Sequence, residues 1–240
     1  MTKQSHESMM PSPTAGRAAS SLRTANARLI RKRAALAATE PRPAGESMPN
    51  LIATCRASDV DGRLAKACLP ERHMRGVSID RGPDGEKWRA KVETLCEMIG
   101  SGFLVALIGN RGTGKTQAAV VAAIRAVQLE RTALYCKAME IFLDIRGTYK
   151  REDRTELDAL DKYLAPQLLI IDEIQQRGET AFEDRMLAYL IDKRYDAMVD
   201  TLLLGNLTPE ALKDSLDPSI VDRIRETGGR MEFTWKSFRG

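Results

Sequence analysis

The strongest constraint on the fold is the segment G-N-R-G-T-G-K-T at 109–116, which fits the pattern GxxxxGK followed by Ser or Thr. It follows the apolar run F-L-V-A-L-I at 103–108 and precedes an alanine-rich helical stretch. Glycines let a backbone wrap closely around phosphates, and the amides and dipole of a helix N-terminus favour an anion. A glycine-rich turn with an incidental lysine is the alternative. The apolar strand before the loop and the helix after it predict a phosphate-binding loop instead.

Short apolar runs and helical patterns alternate along the rest of the chain. Runs at 132–136, 168–171 and 201–204 predict further buried strands, and 230–235 predicts a last one. Because strands alternate with helices, we predict an α/β fold, a three-layer core with a mainly parallel sheet. The predicted helices lie at 86–99, 115–129, 139–146, 156–164, 181–198, 209–216 and 220–225.

The N-terminal part of the chain has a different composition. Residues 1–50 carry eight Lys or Arg against three Asp or Glu, although the whole chain has a net charge of only +4. We expect a disordered start at 1–16, then a basic helix at 17–39 and a linker rich in proline. Such an arm can bind an acidic protein surface or a nucleic-acid backbone, or it can be a solvated tail. The predicted division is an N-terminal partner-binding region at 1–68 and a second domain at 69–240.

Targeting and metal signals are weak. No apolar run approaches the ~20 residues that a membrane-spanning helix needs, and the N-terminus does not resemble a secretory signal. We therefore expect a cytoplasmic protein that does not bind a membrane. The chain has four cysteines, without a close Cys pair. Cys55, Cys68 and His73 are scattered zinc ligands at best, so we expect reduced thiols in packing roles, and the question of zinc stays open.

The loop residues are the first group of expected ligand contacts. Lys115 can reach the β- and γ-phosphates of a nucleotide, and the hydroxyl of Thr116 can bind Mg²⁺. The glycines and the loop amides surround the phosphates. The expected contacts are Gly109, Asn110, Arg111, Gly112, Thr113, Gly114, Lys115 and Thr116.

Polar residues after two of the predicted strands extend this site. In L-L-I-I-D-E at 168–173, Asp172 fits as the Mg²⁺ partner of Thr116, and Glu173 as the group that polarises an attacking water. The alternative for the Asp-Glu pair is a helix N-cap. Asn206 follows the fourth predicted strand, where it could orient that water; the alternative is a turn asparagine after Gly205.

Three arginines near the C-terminus are further possibilities. Arg223 and Arg225 lie in S-I-V-D-R-I-R, and Arg239 lies near the end of the chain. An arginine supplied by a neighbouring subunit can stabilise the charge that develops during phosphoryl transfer. Taken singly, each is better explained as a surface arginine.

These motifs occur in an order that resembles a known family. Together with the ending G-G-R-M-E-F-T-W-K-S-F-R, they are similar to bacterial and phage helicase loaders of the DnaC/DnaI type and to their relatives, the IstB transposition ATPases. The similarity spans about 69–239, from L-P-E-R onward. It implies an AAA+ ATPase domain without a separate lid domain, which hydrolyses ATP with Mg²⁺. It also implies subunits that associate side by side on a DnaB-type replicative helicase.

The resemblance assigns roles to some of the arginines. Arg223 matches the trans-acting arginine finger, and Arg239 matches the sensor-II arginine that acts within its own chain. Such loaders often carry a further arginine four residues before the finger, where this chain has Ser219.

A nucleic-acid contact is implied by the segment I-R-G-T-Y-K-R at 145–151, which matches the loader region that faces single-stranded DNA. The ring of Tyr149 can stack on a base, and Arg146, Lys150 and Arg151 can contact phosphates. The alternative is an exposed tyrosine in a charged loop.

The predicted function is that of an ATP-dependent helicase loader in the initiation of DNA replication. It would bind a replicative helicase through 1–68 and bind single-stranded DNA, with ATP hydrolysis switching between assembly and release. One alternative is a transposition helper ATPase that binds duplex DNA and a transposase. Another is a nucleotide-sensing adaptor with little turnover, but a sensor has no need of Glu173 as a positioned base.

Overall fold

The structure is a computed structural model that describes residues 57–75, 82–150, 153–178 and 180–239. The predicted basic helix at 17–39, the linker and Cys55 lie outside these residues. The division at residue 68 therefore stays a prediction, as does the partner-binding role of the N-terminal region.

The strands are β1 (Leu104–Gly109), β2 (Ala133–Lys137), β3 (Leu168–Asp172), β4 (Asp200–Gly205) and β5 (Gly229–Phe233). They form a single sheet in the order β2-β3-β4-β1-β5, and each neighbouring pair is parallel. This confirms the predicted α/β class. Strands β1, β3 and β4 are almost completely buried, which explains why their sequences are continuous apolar runs without alternation.

Each helix that was predicted between residues 86 and 225 is present, and its ends lie within four residues of the predicted ones. Four of the helices begin after a side chain that accepts a hydrogen bond from a first-turn amide, namely Thr155, Thr180, Thr208 and Asp217. The helices are α1 (Ala57–Lys66), α2 (Glu71–Met74), α3 (Gly82–Met98), α4 (Lys115–Gln128), α5 (Ala138–Gly147), α6 (Glu156–Leu164), α7 (Ala181–Asp196), α8 (Pro209–Ser215) and α9 (Pro218–Thr227). Two 3-10 turns lie at Thr148–Lys150 and Ile174–Gln176.

The helices cover both faces of the sheet and create two apolar cores. On one face, α3 and the alanine-rich α4 pack on side chains such as Val105 and Leu107. On the other face, α5 to α9 pack on the alternate side chains, such as Ala106 and Ile108. Helix, sheet and helix thus form the three predicted layers. The alanines of α4 are fully buried, which lets this helix lie close to the strand ends that precede the loop.

Helix α1 is the main element that the sequence patterns did not predict. It packs on α4 and β2, and the Tyr135 amide donates to the carbonyl of Ala67 at 2.8 Å. Ala67 itself is completely buried. The last part of the predicted N-terminal region, from Ala57 onward, therefore lies against the core.

No helix in the described parts of the chain combines the length and the apolar character that crossing a membrane would require.

Candidate nucleotide-binding site

The sheet order brings the predicted site residues to one edge. Strands β3, β4 and β1 are consecutive in the sheet and parallel, so their carboxyl ends lie side by side. Asp172 ends β3, Gly205 ends β4 and Gly109 ends β1. This edge is where parallel α/β sheets bind ligands.

The loop between β1 and α4 has a backbone that only glycine adopts readily at three positions. Gly109, Gly112 and Gly114 have φ angles of 132°, 78° and 88°. A Cβ atom at Gly109 would collide with the carbonyl of Phe233, and one at Gly112 would collide with the hydroxyl of Ser237. The glycines are therefore required for two reasons: they allow the turn itself, and they allow the close approach of the C-terminal segment, residues 233–239.

Lys115 lies at the centre of the loop. Its Nζ donates to the carbonyls of Gly109 and Asn110 at 2.8 and 2.7 Å, and to Oδ1 of Asn206 at 2.9 Å. The residue is only 7% exposed. Burial lowers the pKa of Lys115 to about 8; nearby Asp172 opposes this shift, and the positive charge of Arg239 reinforces it. The structure thus brings Lys115 and Asn206 together. Because burial disfavours the charged lysine, an anion bound beside it would stabilise that charge.

Asp172 collects hydrogen bonds from three donors. Its Oδ2 accepts from the hydroxyl of Thr116 at 2.9 Å and from the hydroxyl of Tyr135 at 2.8 Å. Its Oδ1 accepts from the amide of Glu173 at 2.7 Å. Burial and the neighbouring carboxylate raise the pKa of Tyr135, so its hydroxyl remains a donor. Sequence reasoning predicted the pairing of Thr116 with Asp172 but missed Tyr135.

Thr116 and Asp172 suit Mg²⁺ chemically. A hydroxyl and a carboxylate oxygen are hard ligands, and Mg²⁺ takes one or two protein oxygens together with substrate phosphates and water.

Within the described residues, no three His, Cys, Asp or Glu side chains form a group that could hold a metal ion. The Cys68 thiol donates to the carbonyl of Lys66, and His73 Nδ1 lies 2.9 Å from Oε1 of Gln117.

Glu173 has a basic partner that the sequence motifs did not reveal. Its Oε2 lies 2.9 Å from Nζ of Lys137, and the side chain of Glu173 is 29% exposed. The bond with the carboxylate raises the pKa of Lys137. Lys137 ends β2 and stands beside Asp172 in the sheet register. The pairing of β2 with β3 could have predicted this contact, because the carboxyl end of a neighbouring parallel strand must lie next to the Asp-Glu pair.

The other predicted loop residues differ in exposure. Asn110 and Arg111 are exposed at the tip, whereas Thr113 is completely buried and its hydroxyl donates to the carbonyl of Asn110 at 2.8 Å. Arg239 is exposed, and it lies close enough to Lys115 to influence the pKa of that lysine.

Arg223 lies on α9 and pairs with Asp192 of α7. Its guanidinium carbon is 5.2 Å from the centre of the Tyr195 ring. Asp217 caps the same helix, because its Oδ1 accepts from both the amide and the hydroxyl of Ser219. The finger role of Arg223 requires a second chain and stays a prediction.

The predicted DNA-contacting segment is only partly described. Arg146 pairs with Oε1 of buried Glu183 at 3.1 Å, and its guanidinium lies 5.4 Å from the centre of the Phe182 ring. Tyr149 is 61% exposed and meets the same ring edge-on at 6.4 Å. Lys150 ends the first 3-10 turn, but its side chain and all of Arg151 lie outside the described part.

Comparison with protein families and curated sequences gives concordant matches. A family model described as IstB-like ATP binding protein matches residues 77–239. The uncharacterized protein YdaV of Escherichia coli is 30% identical over 135 residues, which are 56% of this chain. The replicative helicase loader DnaC of Buchnera aphidicola is 26% identical over 133 residues, or 55% of this chain. In both cases the chain spans 54% of the relative's own length, about half.

Solved structures share the fold. AMPPCP-bound DnaA from Aquifex aeolicus has a TM-score of 0.57 at 18% identity, over 69% of this chain and 51% of that one. DnaI has a TM-score of 0.55 at 18% identity, over 71% and 94% of the two chains. The DnaC helicase loader has a TM-score of 0.53 at 14% identity, over 70% and 100%. These likenesses show a shared fold, which agrees with the predicted α/β architecture of a parallel sheet between layers of helices.

Proposed function

This chain belongs to the family of IstB-like ATP binding proteins, and from that premise we propose that it loads a replicative DNA helicase onto single-stranded DNA under the control of ATP. Its core is an AAA+ P-loop ATPase fold. The observation that carries the proposal is the assembly of Lys115 with Asn206, and of Thr116 with Asp172 and Glu173, at one sheet edge. Relatives named as replicative helicase loaders support the choice of process.

The phosphates of ATP lie in the loop at 109–116. The ammonium group of Lys115 exchanges its hydrogen bonds to the loop carbonyls for bonds to phosphate oxygens. The negative charge of the phosphates compensates for the free-energy cost of burying the ammonium group. Thr116 and Asp172 would hold Mg²⁺, which would neutralise charge on the phosphates. Arg239 reaches the same phosphates from within the chain. All of these contacts come from one chain and form one side of the nucleotide site.

Hydrolysis needs a base, and Glu173 supplies it. Its carboxylate orients the attacking water and accepts a proton, while Asn206 holds the same water from the neighbouring strand end. Arg223 comes from a second copy of the chain and stabilises charge on the γ-phosphate. ATP thus binds at an interface between subunits, and self-association controls its turnover.

The DNA-contacting surface is the segment that contains Arg146 and Tyr149, continuing to Lys150 and Arg151. Tyr149 presents an exposed ring on which a base can stack, and the Phe182 ring contacts it edge-on. The arginines and the lysine contact the phosphates of a single strand.

The helicase partner binds the N-terminal region. The test is a pull-down of the same organism's replicative helicase by the full chain, compared with a chain that begins at Ala57. We expect capture by the full chain and loss of capture without 1–56. If the full chain is folded and binds ATP but captures no helicase, the loader proposal is wrong. The proposed ATPase activity would be unaffected by that result.

A second function, that of a transposition helper ATPase, is favoured by the description of the matching family as IstB-like. It predicts binding of duplex DNA and a transposase. The two are separated by comparing affinities for a 30-nucleotide single strand and the corresponding duplex at one salt concentration, since DNA affinity depends steeply on salt. Preference for the duplex together with transposase capture would select this function.

A further inference from the structure

Two tryptophans bind consecutive carbonyls of the phosphate-binding loop. The indole Nε1 of Trp235 donates to the carbonyl of Thr113 at 3.0 Å, and that of Trp88 donates to the carbonyl of Gly114 at 3.0 Å. Trp88 comes from α3 and Trp235 from the segment after β5, so they approach the loop from two different elements. The chain contains no other tryptophan.

The neighbouring carbonyl is held in the same way. The carbonyl of Gly112 accepts from the amide of Phe238 at 2.8 Å. Three successive peptide groups of the loop therefore have their oxygens engaged by donors outside the loop. The C-terminal segment supplies two of these donors, and the side chain of Ser237 occupies the space beside Gly112 that a Cβ would need.

The geometry of a peptide group links these bonds to the phosphates. Peptide bonds in the described residues are trans, so each carbonyl points opposite to the next amide N–H. Holding the oxygen of Thr113 fixes the direction of the Gly114 N–H. The oxygen of Gly114 accepts from Trp88 and also from the Ala118 amide at 2.9 Å, and these two donors together fix the direction of the Lys115 N–H. Those amides belong to the set that a P-loop turns toward nucleotide phosphates. A rotated peptide would present its oxygen to the phosphate and repel it.

We propose that Trp88 and Trp235 are positioning residues for nucleotide binding, whose indole N–H groups hold the Thr113 and Gly114 carbonyls so that the following amides face the phosphates. The inference rests on the proposed ATP site and adds two residues to it. Both indoles are buried, at 5% and 8% exposure. The Trp235 ring is fixed between Phe233 and Phe238, with ring centres 5.1 and 6.2 Å away. It is thus oriented by packing that is independent of the ligand.

The experiment uses the full chain with Trp88→Phe and Trp235→Phe, which remove the N–H and keep an aromatic ring. Tyr189→Phe, an exposed aromatic position on α7, is the matched control. Calorimetry gives the affinities for MgATP and ADP, and steady-state kinetics separates KM from kcat. We expect each tryptophan variant to bind both nucleotides about two- to tenfold more weakly, which is the loss of one net hydrogen bond. The kcat at saturating ATP should stay near that of the wild type, since α- and β-phosphate contacts act on ground state and transition state alike.

Tryptophan emission is the second readout, because it requires no substitution. In the wild type, saturating ATP should change the intensity or the wavelength of emission, and each single-tryptophan variant should retain part of that change. A wild type that fails to bind ATP would overturn the proposed function together with this inference. Normal ATP and ADP affinities in both folded variants would overturn this inference alone. If a variant does not fold, wild-type emission that stays unchanged while calorimetry reports binding would overturn it equally.

Discussion

Lys137 and Glu173 form an ion pair with 2.9 Å between Nζ and Oε2, at the adjacent carboxyl ends of β2 and β3. Glu173 is the proposed base for ATP hydrolysis, so this pair occupies the carboxylate that a water molecule needs. The pair is partly exposed, with side-chain exposures of 49% and 29%. Its free energy is therefore small, and an assembly step can break it at little cost.

The first prediction concerns this ion pair. Lys137→Ala should raise the rate of ATP hydrolysis by the unassembled chain about two- to fivefold, the range that a partly exposed pair can account for. The freed carboxylate can then orient the attacking water. Lys137→Arg, which retains the pair, should stay near the wild-type rate. A lower rate in Lys137→Ala would mean that Lys137 contacts the reacting phosphates instead of restraining Glu173.

The second prediction concerns Tyr135, whose hydroxyl holds the oxygen of Asp172 that Thr116 also contacts. Tyr135→Phe should raise the Mg²⁺ concentration for half-maximal hydrolysis about tenfold, because groups that orient a metal ligand affect metal affinity on this scale. The measurement is a Mg²⁺ titration at saturating ATP. Tyr163→Phe is the matched control, since Tyr163 is also buried and donates to a different carboxylate, Asp144. Equal Mg²⁺ requirements in both variants would contradict the role of Tyr135.

The third prediction is a pH dependence that originates in Lys115. The pKa of this lysine is lowered by burial to about 8 from an ordinary 10.5. Below pH 8 the lysine is charged and ATP binds without proton exchange. As the pH rises through 8, the free protein loses the proton that the complex requires. Affinity should then fall by up to about tenfold per pH unit, until the lysine in the complex also titrates.

Calorimetry between pH 7 and 9.5, in two buffers of different ionisation enthalpy, measures both the affinity and the protons taken up. Proton uptake should be small at pH 7 and substantial at pH 8.5. Lys115→Arg keeps its charge throughout this range and should show a flat affinity. A flat profile in the wild type would mean that Lys115 remains fully charged in the free protein.

The fourth prediction tests whether the site is shared between subunits. Glu173→Gln and Arg223→Ala should each abolish hydrolysis alone. An equal mixture should recover about a quarter of the wild-type rate, because in a head-to-tail assembly that share of interfaces joins the intact Glu173 of one chain to the intact Arg223 of the next. Mixing Glu173→Gln with Lys115→Ala is the control, since both defects lie on one side of the interface. No recovery in the first mixture would mean that Arg223 serves its contacts with Asp192 and Tyr195 and does not complete a neighbour's site.

Much of the fold follows from the sequence because burial on both faces of a parallel sheet requires continuous apolar runs. Leu168 to Ile171 and Thr201 to Leu204 are such runs, and both were predicted as strands and are strands. Helix α1 was not predicted because its apolar side chains are few, and its packing depends on Ala67 fitting against β2. Local periodicity carries no signal for a contact of that kind.

The sequence likewise predicted only some of the residues that form the site. Lys115, Thr116 and Asp172 lie in contiguous motifs, so their pairing could be inferred. Tyr135 and Lys137 reach the site through strand pairing, and their own neighbours in sequence form no motif. Trp88 and Trp235 are separated by 147 positions along the chain and meet only at the loop. Side chains that serve the site across such distances become visible only once the sheet order is known.

The most direct test of the account is transfer of the same organism's replicative helicase onto circular single-stranded DNA, measured as helicase retained on the DNA after a high-salt wash. With MgATP, the wild type should deposit helicase and then leave the DNA. Glu173→Gln should keep loader, helicase and DNA together, because hydrolysis is the release step. Lys115→Ala should deposit nothing above the level without loader. If the wild type also leaves helicase at that level, or if Lys115→Ala matches the wild type, ATP-controlled helicase loading is not the function of this chain.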